Sequence, residues 1–287
     1  MSNKAILFGI ENEESNITRL KGCHNDVKAW REVLEKVGSN FEIEPIYFKA
    51  EPDYFRIVIK SFIDNLELGD LGVIVFSGHG FNLEDTRSTQ DRRYQGLFFS
   101  KKNREQLNDG KLKDYEILIW LKELLNNEAR LIIILDCCHA FGMDRSYKRN
   151  LIEFVEPVRA FFEFLKQKLL GIRTKSLRIK SESFQNIYSS HFNDDVFLEN
   201  IRDFSNVTLL SAVETKKRKA FEAKFEEGVY GYFSYCAKKI CDDNSNITYS
   251  ELEEKINILL SNKNKFKKEQ RVSFIIGEDF DNKKIFK

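Results

Sequence analysis

VIVFSGHG, residues 73 to 80, and LIIILDCCHAFG, residues 131 to 142, decide how this chain is read. Each is a short apolar run that stops abruptly on reactive side chains: a histidine held between glycines in the first, paired cysteines in the second. Runs of this length, bounded by turn residues and rich in Val, Ile and Leu, are the pattern of strands buried on both faces. In an open parallel sheet, ligands sit outside the carboxyl ends of the strands, because the connecting loops open there. Glycines around His79 allow a sharp turn and a close backbone approach. A cysteine attacks as its thiolate and needs an imidazole nearby to take its proton. A lone histidine in a glycine loop also serves as a structural hydrogen-bonder, and a cysteine after a strand as a small buried residue. Two such ends in one sheet bring the paired, chemical reading level with the structural one, and spacing alone goes no further.

Around these two runs the chain alternates. Residues 4 to 10, 41 to 48, 71 to 76, 131 to 135, 207 to 213 and 271 to 276 read as strands. Residues 23 to 37, 54 to 66, 115 to 125, 228 to 240 and 247 to 260 carry apolar residues at helical spacing, the last with Thr248 or Ser250 near its start. Strands separated by helices imply an α/β fold, a mostly parallel sheet with helices on both faces. The alternation breaks between about 145 and 205, where an aromatic helical stretch (154 to 170) precedes a polar, basic one. The expectation is one domain over 1–287 with a helical and basic insertion there.

The chain has 287 residues, 42% hydrophobic and 32% charged, with a net charge of +1, so a folded core is expected and no global field that recruits nucleic acid or a membrane surface. No run approaches the roughly 18 apolar residues of a spanning helix, and the apolar run in MSNKAILFGIENEES is too short for a secretion signal, so none is expected. Five cysteines, an odd number with no C-x-x-C pair, suit free thiols in a reducing, cytosolic compartment.

The motifs together resemble those of the caspase-like cysteine peptidases, and among them the metacaspases and their bacterial relatives. LKGCHNDV (20 to 27) is similar to the family's L-x-G-C-x-N-D segment, FSGHG to its histidine loop and DCCHAFG to its D-x-C-H-S-G cysteine loop. GKLKDYEI, TLLSAVETKKRKAFE and GYFSYCAKKI resemble later family segments. The resemblance implies a three-layer caspase-hemoglobinase-like sandwich with a six-stranded sheet. It implies Cys138, not Cys137, as nucleophile, His79 as general acid and base, and the N–H groups of Gly80 and Cys138 as oxyanion donors. His79 precedes Cys138 by 59 positions, near the roughly 50 typical of caspases. The sequence departs from the pattern at Ala140 and Phe141, where Ser and Gly are usual.

The same resemblance maps a pocket for a basic side chain onto Cys23, Asp26, Ser77 and Asp136, implying cleavage after Arg or Lys. Buried carboxylates facing a cation discriminate by about a few kcal/mol, since another side chain leaves them unmatched. Asp26 read alone is an acid in a first helical turn, and Asp136 a loop cap. Calcium, which many metacaspases require, finds few oxygen ligands: Asp114 matches one position, but Tyr115 replaces its neighbour and Arg145 stands beside Asp144. The expectation is no metal and calcium independence.

Six basic residues and no acid lie between 165 and 181. With Arg/Lys specificity, Arg173, Lys175, Arg178 and Lys180 become candidate self-cleavage points; the alternative is a solvated basic face. The expected activity is thus a regulated cysteine endopeptidase acting on protein substrates, with an activating partner and a place in prokaryotic defence or regulated cell death by family analogy. The competing expectation is a catalytically silent caspase-like scaffold or signalling module. Nucleic-acid binding through the basic stretch has no recognition motif behind it.

Overall fold

The computed structural model describes residues 2–11, 19–37, 40–48, 54–85, 92–99, 111–125, 128–138, 173–174, 176–179, 204–214, 219–262 and 270–287. In chain order the elements are β1 (Asn3–Gly9), α1 (Cys23–Val37), β2 (Phe41–Ile43), α2 (Tyr54–Asp64), β3 (Leu71–Ser77), β4 (His79–Asp85), β5 (Arg92–Phe98), β6 (Lys111–Lys113) and α3 (Asp114–Leu124). They continue with β7 (Arg130–Asp136), β8 (Arg173–Thr174), β9 (Ser176–Ile179), β10 (Val207–Ser211), β11 (Phe221–Lys224), β12 (Val229–Gly231), α4 (Tyr232–Asp243), α5 (Tyr249–Asn262) and β13 (Ser273–Ile275).

Six strands form the central sheet in the order β13-β10-β7-β3-β1-β2, parallel except for β13 at one edge. Side-chain alternation divides its core in two. Ala5, Leu7, Val73, Val75, Ile132, Ile134 and Leu210 point to the face packed by α1, α4 and α5. Ile6, Phe8, Ile74, Phe76, Leu131, Ile133, Leu135 and Leu209 point to the face packed by α2 and α3. The result is the three-layer α/β sandwich expected from the alternation of strands and helices. Among the described residues, no helix is long and apolar enough to cross a membrane.

Local chemistry fixes the element ends. Thr248 and Glu251 form a reciprocal cap at the start of α5: Glu251 N–H donates to Thr248 Oγ1 (3.3 Å) and Thr248 N–H to Glu251 Oε2 (2.8 Å). Gly9, at the end of β1, is glycine because a Cβ there would lie 2.7 Å from Cys23 O and 2.8 Å from Val27 Cγ2, so α1 packs directly on the strand backbone. Asp70, just before β3, accepts from Ser2 N (2.7 Å), Glu67 N (3.2 Å) and Lys4 Nζ (3.1 Å), which ties the starts of β1 and β3 together. Burial alone would raise its pKa, but these donors outweigh it and hold the carboxyl at about 2, down from 3.8. A depressed folded-state value contributes stability above about pH 4 that is lost as pH falls toward 2. Asp70→Asn should therefore cost about 1–2 kcal/mol at pH 7 and little near pH 2, read from urea unfolding at both pH values.

Several expected boundaries move. The strand expected over 41 to 48 is regular only at Phe41–Ile43, with a single further bridge between Tyr47 and Phe8. The helix expected from 228 begins at Tyr232, because Val229–Gly231 instead pairs with β11 as β12. Two small sheets, β6-β5-β4-β9 and β12-β11-β8, were absent from the expected list. Of the insertion expected over 145–205, the described residues include β8 and β9, extended segments paired to the body of the domain. The aromatic helix expected over 154 to 170 lies outside the described residues.

Candidate active site

The two opening runs are adjacent strands. β3 and β7 pair in parallel with Ser77 opposite Asp136, so both end at the same level of the sheet. His79 and Cys138 each stand two residues beyond that shared level. Gly78 N–H reaches Asp136 O (3.4 Å) across the gap, and a Cβ on Gly80 would collide with the Cys138 carbonyl oxygen while lying 3.5 Å from Cys137 Sγ. Only glycine permits that approach of the histidine loop to the cysteine loop.

The period-2 alternation of β7 continues into the cysteine pair. Cys138 joins the core face shared with α1 and α4, whereas Cys137 joins the face packed by α2 and α3. Cys138 Sγ accepts from Ala220 N–H at 2.9 Å and donates to Ala220 O at 3.4 Å, so both backbone groups of Ala220 hold the sulfur. All five cysteines are buried and none is in a disulfide. Cys241 is unsuited to nucleophilic work, since burial, helped by the charge of Asp242, pushes its thiol up to about 12. His79 and Cys138 are both 0% exposed.

The four expected pocket residues converge on the Cys138 face. Cys23 and Asp26 lie in the first turn of α1, and both are fully buried. Ser77 Oγ donates to Asp26 Oδ2 (2.7 Å), and Gly231 N–H donates to Asp26 Oδ1 (2.7 Å). Asp136 Oδ2 accepts from Ser234 Oγ (2.6 Å) and from Ser234 N (3.3 Å). Both carboxylates therefore sit at the amino end of α4, where unsatisfied N–H groups and the helix dipole favour negative charge. This is how two acids remain fully buried close to one another.

Around them stand residues that the sequence reading passed over. Glu222, 1% exposed on β11, accepts from Lys21 N (2.9 Å) and Gly22 N (2.8 Å), and Asn25 Nδ2 donates to Val229 O (2.9 Å). These contacts clamp the segment before α1 against β11 and β12. Ala220, Gly231 and Ser234 act through backbone groups or a single hydroxyl. Of the candidate self-cleavage points, Arg173 lies in β8 opposite Glu222 and Arg178 in β9 opposite Asn82, while Lys175 and Lys180 lie outside the described residues. Asp114 and Tyr115 open α3, and Ala140, Phe141, Asp144 and Arg145 lie outside the described residues.

A mostly parallel six-stranded sheet carrying a buried histidine and cysteine at neighbouring strand ends defines a caspase-like α/β domain. Solved structures share the fold: a protein from Geobacter sulfurreducens (TM-score 0.63, 14% identity, covering 100% of this chain and 98% of that one) and the Drosophila initiator caspase Dronc (TM-score 0.50, 10% identity, 98% and 81%). More narrowly, residues 3–144 match the metacaspase, peptidase C14 domain family. Metacaspase III c of Phaeodactylum tricornutum is 27% identical over 148 residues, 48% of this chain and 43% of that protein, so the chain matches under half the length of that curated relative.

Proposed function

We propose that the chain is a cysteine endopeptidase that cleaves after Arg or Lys through His79 and Cys138. The observation that carries this is the β3/β7 register, with Ser77 opposite Asp136, because it aligns both reactive residues beyond one sheet edge. In the reaction, His79 takes the thiol proton and Cys138 sulfur attacks the scissile carbonyl. The N–H groups of Gly80 and Cys138 receive the oxyanion. The C–N bond breaks as His79 returns the proton to the leaving amine. Water, deprotonated by His79, then attacks the thioester, and sulfur leaves to regain the proton. Asp26 and Asp136 bind the cationic side chain before the bond. A covalent probe carrying an Arg recognition group should label wild-type protein and not Cys138→Ala. Absence of labelling in every condition would favour the silent scaffold.

Self-processing belongs to the same proposal and is supported by the strand pairing. Peptides commonly bind by adding a strand to a sheet edge. β8 does so on β11: Arg173 is opposite Glu222 and Thr174 opposite Phe221, running toward Ala220, whose N–H meets Cys138 Sγ. Two residues later Ser176 is opposite Gly80, next to His79. Arg173 and Arg178 lie within these paired strands; of the two remaining candidates, Lys175 is the one adjacent in sequence to both Thr174 and Ser176, so the bond between Lys175 and Ser176 is favoured. Mass spectrometry should find a new terminus at Ser176, absent in Cys138→Ala and in Lys175→Ala; a terminus elsewhere in both wild type and Lys175→Ala would reject this bond. Defence or regulated death, a cytosolic setting and an activating partner rest on family analogy.

A further inference from the structure

We infer that Ser234, held by Trp30, is a positioning residue for the pocket carboxylate of Asp136 and so sets the affinity for a cationic side chain. The inference rests on the reading of Asp136 as part of a basic-side-chain pocket. Cys23, Asp26 and Trp30 lie at i, i+3 and i+7 on α1 and share one buried helix face. Trp30 is 1% exposed, and its indole Nε1–H donates to Ser234 Oγ at 2.9 Å. An indole nitrogen is a donor only, so the Ser234 oxygen is the acceptor and its own hydrogen is left to point elsewhere. It points to Asp136 Oδ2, 2.6 Å away, the short distance of a charge-assisted O–H···O bond. Ser234 N–H adds a second donor to the same oxygen at 3.3 Å.

One carboxylate oxygen is thus occupied twice from α4, and the carboxyl plane is held by a chain that begins on α1. Helix α1 supplies one pocket acid directly, as Asp26, and orients the other through Trp30 and Ser234. Ser234 is buried at 1% exposure and, being one residue removed from contact with any substrate, acts through Asp136. A serine at this position with no ligand role is otherwise a polar group placed in an apolar helix face, flanked by Phe233 and Cys236 in the core. Burial of a hydroxyl there is favourable only when its hydrogen bonds are made.

The test compares kcat and KM for Arg and Lys peptides, using the full chain. Ser234→Ala should raise KM about tenfold with kcat changed less than about threefold, the size expected when one hydrogen bond to a charged group is lost. Ser234→Thr, which keeps the hydroxyl, should restore KM toward wild type. Trp30→Phe, which keeps an aromatic ring and removes the N–H, should move KM in the same direction as Ser234→Ala. Melting temperature and near-ultraviolet circular dichroism report whether each variant retains its fold. If Asp136→Asn weakens cleavage after Arg and Lys while Ser234→Ala leaves KM unaltered, the positioning role is overturned and the pocket stands. If Asp136→Asn has no effect on these substrates, pocket and positioning role fall together. A Ser234→Ala variant whose kcat falls with KM unmoved, and which Thr does not rescue, also overturns the inference.

Discussion

Cys138→Ala should reduce hydrolysis of Arg and Lys peptides by at least about four orders of magnitude, whereas Cys137→Ala should stay within about fivefold of wild type. The two residues are chemically identical neighbours, so the contrast rests on geometry alone. Alternation along β7 sends Cys138 to the α1/α4 face, against Ala220 N–H, and Cys137 to the α2/α3 face among apolar side chains. Without the Cys138 sulfur no acyl-enzyme forms, and what remains is the weak catalysis of oxyanion donors and binding. His79→Ala should cost about as much as Cys138→Ala, and the double variant little more, because the pair acts as one unit. Initial rates on a fluorogenic Arg peptide check this. Activity that survives Cys138→Ala and vanishes in Cys137→Ala would reverse the assignment.

The sequence disclosed the central strands because strands buried on both faces must be nearly all apolar, and 71 to 76 and 131 to 135 are. It also disclosed the caspase-like motifs around His79 and Cys138. It did not disclose that β3 and β7 are neighbours in register, since strand order is a long-range property. The carboxylate end of α4 was hidden for a local reason. Gly231 precedes the helix with no side-chain cap, so no Ser, Thr, Asp or Asn marked its start, and apolar spacing ran through β12 into the helix. Ser234, inside that span, looked like an ordinary helix residue. The small sheets escaped because RRYQGLF, KLK and SLRI mix charge with apolar residues and pair with distant strands. The stretch around 173 to 179 was legible as basic, but its pairing with β11 and β4 was not.

Asp136→Asn should lower kcat/KM for Arg and Lys peptides by about 30- to 1,000-fold and leave the melting temperature unchanged or higher. The amide keeps an oxygen that can accept from Ser234 Oγ, so the local geometry survives while the charge is removed. Deleting one member of a desolvated charge pair costs about 2–4 kcal/mol in binding, which sets the range. Stability should move the other way, because Asp136 is fully buried at the α4 amino end and replacing a buried carboxyl with a neutral, isosteric amide removes a desolvation cost. The opposing loss, one acid's interaction with the helix dipole, is about 1 kcal/mol. Such opposed changes are the signature of a group retained for recognition over stability. Peptides with a neutral residue before the scissile bond supply the discriminating comparison. Their kcat/KM should fall little or not at all, since they never met the carboxylate's charge. An equal fall for neutral and basic peptides, together with a lower melting temperature, would make Asp136 a structural acid and remove the basis for Arg/Lys specificity.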